Sequence, residues 1–345
     1  MNRLISKTLG VALAIFGSTV VMGQESQGTK DFLGKLLDRI ELNGYAQAGY
    51  AYQDDGDNTT SSLNIKRTLL WGKAKITDRW SFLFMYDFNS EVQEFYTDYR
   101  ITKNNALSVR IGQFKNSYSM ENPLSPTIME LIDVYSQSVT YLSGCGSDPL
   151  NGVNYGRDLG IMFYGDLLAD KIHYELGIMN GQGINCSDGN SDKDVILKVE
   201  YKFVPEFRLV VSGQKGRGHA VGTAEWNPDI KIGDDYTRDR LSVGGEYKDQ
   251  RLGIHGEWLW GKDGSVKSWG AYLTGRYTAA KDFDIIASVD FFDKSTKLEY
   301  DQTNLTAGVQ YWFFHKCRVQ LQYTRCITDF EGDYNKLQAQ VQVAF

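Results

Sequence analysis

Apolar and polar residues alternate along most of this chain with the period of a β-strand. The C-terminal run NKLQAQVQVAF places Leu337, Ala339, Val341, Val343 and Phe345 on one face and Gln338, Gln340 and Gln342 on the other, because successive strand side chains point to opposite sides. Residues 195–203 set Val195, Leu197, Val199, Tyr201 and Phe203 against Lys198, Glu200 and Lys202. The run IELNGYAQAGYAY sets Ile40, Leu42, Ala46, Ala48, Tyr50 and Tyr52 against Glu41, Asn43, Tyr45 and Gln47. About sixteen such runs follow one another, an even number as single-chain bacterial barrels require. They are separated by tight turns, such as TKNN at 102–105 and HK at 315–316, or by long polar stretches such as 214–240. A strand that is apolar on one face needs either a second sheet or lipid against that face. The number and length of the runs favour lipid. The predicted fold is all-β: a transmembrane antiparallel β-barrel of sixteen strands, whose last strand pairs with the first to remove the sheet edge and turns its glutamines to a water-filled channel.

Composition and targeting agree. The 345 residues include 35 glycines, only 5 prolines and 13% aromatics, and Tyr50, Tyr52, Trp80, Trp258, Trp260, Trp312 and Phe313 cluster near strand ends, as interfacial girdles do. Residues 1–23 read as a secretory signal peptide: Arg3 and Lys7, an apolar run, then Val21 and Gly23 ahead of Gln24. Residues 24–37 form a short lead, and 38–345 the barrel. No later stretch approaches the length of a transmembrane helix, so an exported chain that enters a membrane does so as a barrel. The expected location is the outer membrane of a Gram-negative bacterium, with outer-membrane lipid as surroundings. The formal net charge of −6, more negative once Arg3 and Lys7 leave with the signal, argues against a nucleic-acid partner. No cofactor motif stands out.

The stretches VRIGQFKNSYSMENPLSP, YGRDLGIMFYG and IMNGQGINCSDGNSDKDV, with the hairpin-rich second half ending in VAF, resemble the family of phosphate-selective porins O and P. That resemblance covers essentially the whole chain after the signal. It implies a homotrimer of sixteen-stranded barrels, each pore narrowed by an infolded third loop, here residues 116–154. A loop of this length without strand period tends to be functional. The terminal Phe345 is similar to the aromatic residue through which outer-membrane proteins are read by the barrel assembly machinery. Where the family carries basic residues in the constriction loop, this one has Glu121, Glu130 and Asp133 and no Lys or Arg after Lys115.

By alternation Arg100, Arg110, Lys198, Lys202, Arg276 and Arg318 face the lumen, as do Asp87, Asp98, Glu200, Glu246, Glu257 and Asp290. Such a mixed lining favours passage of small hydrophilic solutes over strict choice of ion. Arg110 and Arg157 flank the loop; they serve either the solute path or salt bridges that anchor the loop to Glu121, Glu130 or Asp133. A bridge between Cys145 and Cys186 would tie the loop to its neighbour. Asp188, Asn190, Asp192 and Asp194 have the spacing that opens a calcium loop but lack its glycine and distant glutamate. Four histidines and no GxSxG or HExxH give no mark of an outer-membrane hydrolase. A surface adhesin barrel without an open pore is the other alternative.

Overall fold

The alternating runs fold as strands because each can give one face to an apolar surround and the other to a polar interior. In the computed structural model, which describes residues 39–298 and 300–345, they are β1 (Ile40–Asp54), β2 (Thr59–Lys75), β3 (Trp80–Asp87), β4 (Val92–Arg100) and β5 (Ser108–Lys115). The connection after β5 holds helix α1 (Gln137–Leu142) and a separate two-stranded sheet of β6 (Ser147–Asp148) and β7 (Gly152–Val153). Then come β8 (Arg157–Leu167), β9 (Ile172–Met179), β10 (Asp194–Val204), β11 (Phe207–His219), β12 (Asp235–Lys248), β13 (Leu252–Asp263), β14 (Val266–Ala280), β15 (Phe283–Asp293), β16 (Asp301–Phe314), β17 (Cys317–Thr328) and β18 (Tyr334–Ala344). The expected signal peptide (1–23) and lead (24–37) lie outside the described residues. From Leu42 onward the sheet forms one compact unit, residues 42–345.

Sixteen strands close into one antiparallel barrel. The seam is β1 against β18, with Tyr45 opposite Ala344 and Tyr52 opposite Leu337. Backbone bonds between Gly44 and Phe345 continue it by one more pair, Phe345 N to Gly44 O at 3.1 Å and Gly44 N to Phe345 O at 3.4 Å. Among the described residues no helix is long and apolar enough to cross a membrane; the strands carry the apolar surface. On β18 the outward Val341 and Val343 are 41% and 50% exposed while Gln340 and Gln342 are 4% and 0%. The same division runs down β10, where Leu197 and Val199 face out and Lys198 and Glu200 face in.

Connections are tight at one end (76–79, 205–206, 281–282, 315–316) and longest at the other (116–156, 180–193, 220–234). Two sequence expectations shift. The polar stretch 214–240 is strand at both ends: β11 runs to His219 and β12 begins at Asp235, so 220–234 alone is loop. Its polar residues belong to strands whose inward face is polar, which reads as loop when considered alone. Trp312 is no girdle residue. Trp312 keeps the inward parity of Gln310, and its indole donates to Asp284 Oδ2 at 3.0 Å; Phe313 faces out, and the register shifts only beyond Trp312, before Phe314.

Candidate functional site

The β5–β8 connection lies inside the barrel. Its base is closed by Asn122, fully buried, which donates from Nδ2 to the carbonyls of Asn116 (2.9 Å) and Gly156 (3.0 Å). Gly156 has φ +67°, and a Cβ there would collide with the Asn122 side chain, so the loop can close only over glycine. From this base the chain crosses to the β11–β15 wall. Ser119 N bonds Ser212 Oγ (2.9 Å), while Ser119 Oγ and Met120 N both bond the Glu257 carboxylate at 2.9 Å. Gln137 N, at the start of α1, bonds Asp290 Oδ2 at 2.8 Å.

The loop tip then rests on the wall made by β16, β17 and β18. Arg318 donates to the carbonyls of Pro126 (3.2 Å) and Met129 (2.8 Å). Gln320 and Gln322 both donate to Glu130 O (2.9 and 2.7 Å), and Gln322 Oε1 accepts from Ile132 N at 2.9 Å. Gln342 donates to Thr127 O at 3.2 Å, and Gln338 to Asp133 Oδ1 at 2.7 Å. The amide, with a donor and an acceptor on one short stem, satisfies a loop backbone that has both. Of the glutamines expected to line open water on β18, Gln338 and Gln342 therefore seat the loop instead, and Gln340 bonds Gln320 Oε1 at 2.9 Å. Each bond contributes about 1 kcal/mol net, and each buried group left unpaired would cost about 1–3 kcal/mol.

The loop acids find partners that sequence reasoning missed. Glu121 accepts from Ser136 N (2.9 Å) and meets His255 Nε2 at 3.2 Å. Glu130 lies 3.9 Å from Arg276 Nε and 4.0 Å from His255 Nδ1. Asp133 is clamped by Lys336 (2.5 Å) and Lys66 (3.5 Å). Burial among the barrel walls works to raise the Asp133 pKa, but Lys336 and Lys66 outweigh it and hold the carboxyl well below the usual carboxylate range. The carboxylate nonetheless stays 46% exposed: it faces open space enclosed by protein, as a pore group does. A periodicity argument places Lys66 and Lys336 on inward faces but cannot bring β2 and β18 to residue 133.

The flanking arginines do not anchor the loop to its acids. Arg110 forms a two-pronged pair with Asp98 (2.8 and 3.0 Å) and lies over the Tyr96 ring at 4.0 Å. Arg157 pairs with Glu94 (3.1 and 2.8 Å) and donates to Tyr155 O. Lys115 bonds Leu124 O (2.6 Å) and Tyr135 OH (2.8 Å), so it braces the loop from below. Lys198 sits between Glu175 (3.0 Å) and Glu200 (3.2 Å), and Arg208 links Glu200 to Glu246 at 2.6 and 2.7 Å. These pairs form one wall ladder of alternating charge. Arg276 also reaches Asp284 at 3.3 Å. Two expected lining residues sit elsewhere: Arg100 holds the carbonyl of Asp78 in the 76–79 turn at 2.9 Å, and Lys202 is exposed where β10 meets its turn.

All four cysteines are free. Cys145 donates to Asn122 Oδ1 at 2.9 Å and lies 3.0 Å from Ser143 Oγ; burial pushes its thiol up to about 11. Cys186 is exposed and not bridged to it. In the 188–194 segment the Asp188 carboxylate is occupied by Lys193 and the amides of Asn190 and Ser191, and among the described residues no group of acids, His or Cys is arranged to hold a metal. Among the described residues, cavities remain between the loop and the walls. One of about 380 Å³ lies between the loop and the β15–β18 wall; one of about 300 Å³ lies between Pro123–Pro126 and the wall carrying Tyr45, Glu94, Arg110 and Arg157.

The family described as phosphate-selective porin O and P matches residues 40–202. No curated protein matches the sequence significantly. Among solved structures, OmpT of Vibrio cholerae, an outer membrane protein in trimer form, is similar with TM-score 0.63 and 14% identity, over 89% of this chain and 100% of that one. An anion-selective porin from Comamonas acidovorans is similar with TM-score 0.61 and 14% identity, over 89% and 99%. The outer membrane channel DcaP of Acinetobacter baumannii has TM-score 0.61 and 12% identity, over 89% and 97%. At these identities the likeness is one of fold: a closed outer-membrane barrel.

Proposed function

We propose that this outer-membrane channel, whose residues 40–202 match the phosphate-selective porin O and P family, passes small hydrophilic solutes by passive diffusion, with its width set by the 116–156 loop and with weak choice of charge. The observation that carries this reading is the pairing of charges in the lumen. Arg110 with Asp98 and Arg157 with Glu94 cancel at contact distance, while Lys198 between Glu175 and Glu200 leaves one negative charge and Asp133 between Lys66 and Lys336 leaves one positive charge, so that the four groups together balance. Paired charges leave little net field beyond about 8 Å in physiological salt, so an ion crossing the channel meets alternating dipoles rather than one sign.

The same reading extends to assembly and place. The outward apolar band suits lipid, Phe345 lies exposed at the seam where the barrel assembly machinery would read it, and a homotrimer in the outer membrane of a Gram-negative bacterium, reached through the signal peptide, is the expected form. On this reading the chain is a channel without enzyme activity, and the carboxylate bonds of His173, His219 and His255 belong to its polar walls and loop. Liposome swelling tests the proposal: refolded protein should admit small neutral solutes at rates that fall with solute size. Liposomes that do not swell in any of them would refute it.

A further inference from the structure

The 380 Å³ cavity opens beside aromatic rings contributed by three different loops and α1. Tyr300 stacks on Phe330 with centroids 5.1 Å apart, Trp226 follows Tyr300 at 6.0 Å, and Tyr141 follows Trp226 at 5.9 Å. Trp226, Tyr300 and Phe330 are half-buried, whereas Tyr141 is buried and holds the Trp226 indole through its hydroxyl at 3.1 Å. Tyr141 is backed in turn by Phe292, centroids 5.5 Å apart. The rings thus form a supported series leading from the loop end to the cavity.

Below the rings the lining changes character. Gln137, Gln302, Asn304, Thr306, Thr324 and Gln338 offer amides and hydroxyls that both donate and accept. Asp133 and Lys336, which also line the space, neutralise one another. Asp290, only 5% exposed, lines it too, and its Oδ1 has no hydrogen-bond partner. A buried carboxylate oxygen without a donor is a position that a ligand hydroxyl would satisfy.

From this juxtaposition the geometry points to a binding path for neutral saccharides: aromatic faces at the mouth take the C–H faces of sugar rings, and the amide-rich cavity with Asp290 takes their hydroxyls. Among the described residues no arginine lines this cavity, and of its two lysines Lys336 is paired with Asp133 and Lys294 lies over aromatic rings, which disfavours a phosphate, and its polar floor disfavours a lipid tail. A volume of about 380 Å³ falls at the small end of the range for ligand sites, roughly 300–1,000 Å³. Lys294, within 5.1 Å of the Trp226 ring and 4.9 Å of the Phe330 ring, covers these faces and must swing aside as a sugar arrives. This inference deepens the channel reading and rests on it.

The test is block of ion current through the full-length protein in a planar bilayer by maltohexaose or cellohexaose added to the loop side. Brief, saturable interruptions are expected with at least one of the two sugars. Trp226→Ala should raise the half-blocking concentration about tenfold, and Trp226→Phe, which keeps an aromatic face, by no more than about twofold. A conducting channel that neither sugar interrupts, or equal block in wild type and Trp226→Ala, overturns the saccharide path and leaves the porin reading standing. If the protein conducts no ions, the porin reading fails, and tryptophan fluorescence in detergent decides the site. A saturable maltohexaose response lost in Trp226→Phe supports it, and no response overturns it.

Discussion

Gln322 on β17 donates to the backbone carbonyl of Glu130 at 2.7 Å, although 192 residues separate them in the chain. The bond fixes the tip of the 116–156 loop inside the barrel, and Gln320 donates to the same carbonyl while Arg318 donates to that of Met129 beside it. Replacing Gln320 and Gln322 together by leucine should leave the Glu130 carbonyl and the Ile132 amide unpaired, a loss of about 1–3 kcal/mol for each buried group. The barrel should still assemble, because both side chains face inward. Protease should then cut within the freed tip, and single-channel currents should flicker. A protease-resistant loop with quiet currents in the double variant would show that the glutamines do not hold it.

Asp133 sets the acid behaviour of the tip. Its folded pKa is depressed by Lys336 and Lys66, so the clamp's contribution is fully present above the ordinary carboxylate range, about 4, and is lost only as pH falls through the depressed folded value. Currents recorded at pH 7 and pH 4.5 should therefore be equally steady. Asp133→Asn should be unsteady at both. Flicker that sets in for the wild type near pH 5 would contradict the clamp.

Arg110 and Asp98 neutralise one another in a two-pronged pair. Reversal potentials under a salt gradient should be small for the wild type, and Arg110→Gln should shift them toward cations because Asp98 is left uncompensated. Strong anion selectivity in the wild type, with block by low phosphate, would restore a phosphate channel and reject the weak-selectivity account.

With no bridge between Cys145 and Cys186, alkylation without reductant should find both thiols free after denaturation. In the folded protein Cys186 should label within minutes at pH 8, while Cys145, half-buried and with its thiol pushed up to about 11, should label far more slowly. A peptide linking the two under non-reducing conditions would reject this arrangement.

The barrel was legible because lipid outside and polar lumen inside impose a period of two, and β18 or β10 shows it without interruption. The position of the loop was legible from length and lack of period. What the loop touches was not, since the contacts of Asp133 with Lys66 and Lys336, or of Glu121 with His255, depend on how three distant strands are staggered around a closed sheet. Trp312 was misassigned for a different reason: it was grouped with the strand-end aromatics, although it shares the parity of the inward Gln310, which alternation turns to the lumen. The inward glutamines of β17 and β18 were visible as a polar face. An alternating pattern does not distinguish a face that meets water from one that meets a folded loop.

Single-channel conductance of a variant lacking much of 117–143 measures the central claim, that the docked loop narrows this pore. The account predicts an assembled channel whose conductance rises clearly above that of the wild type. An assembled channel with unchanged conductance would contradict it.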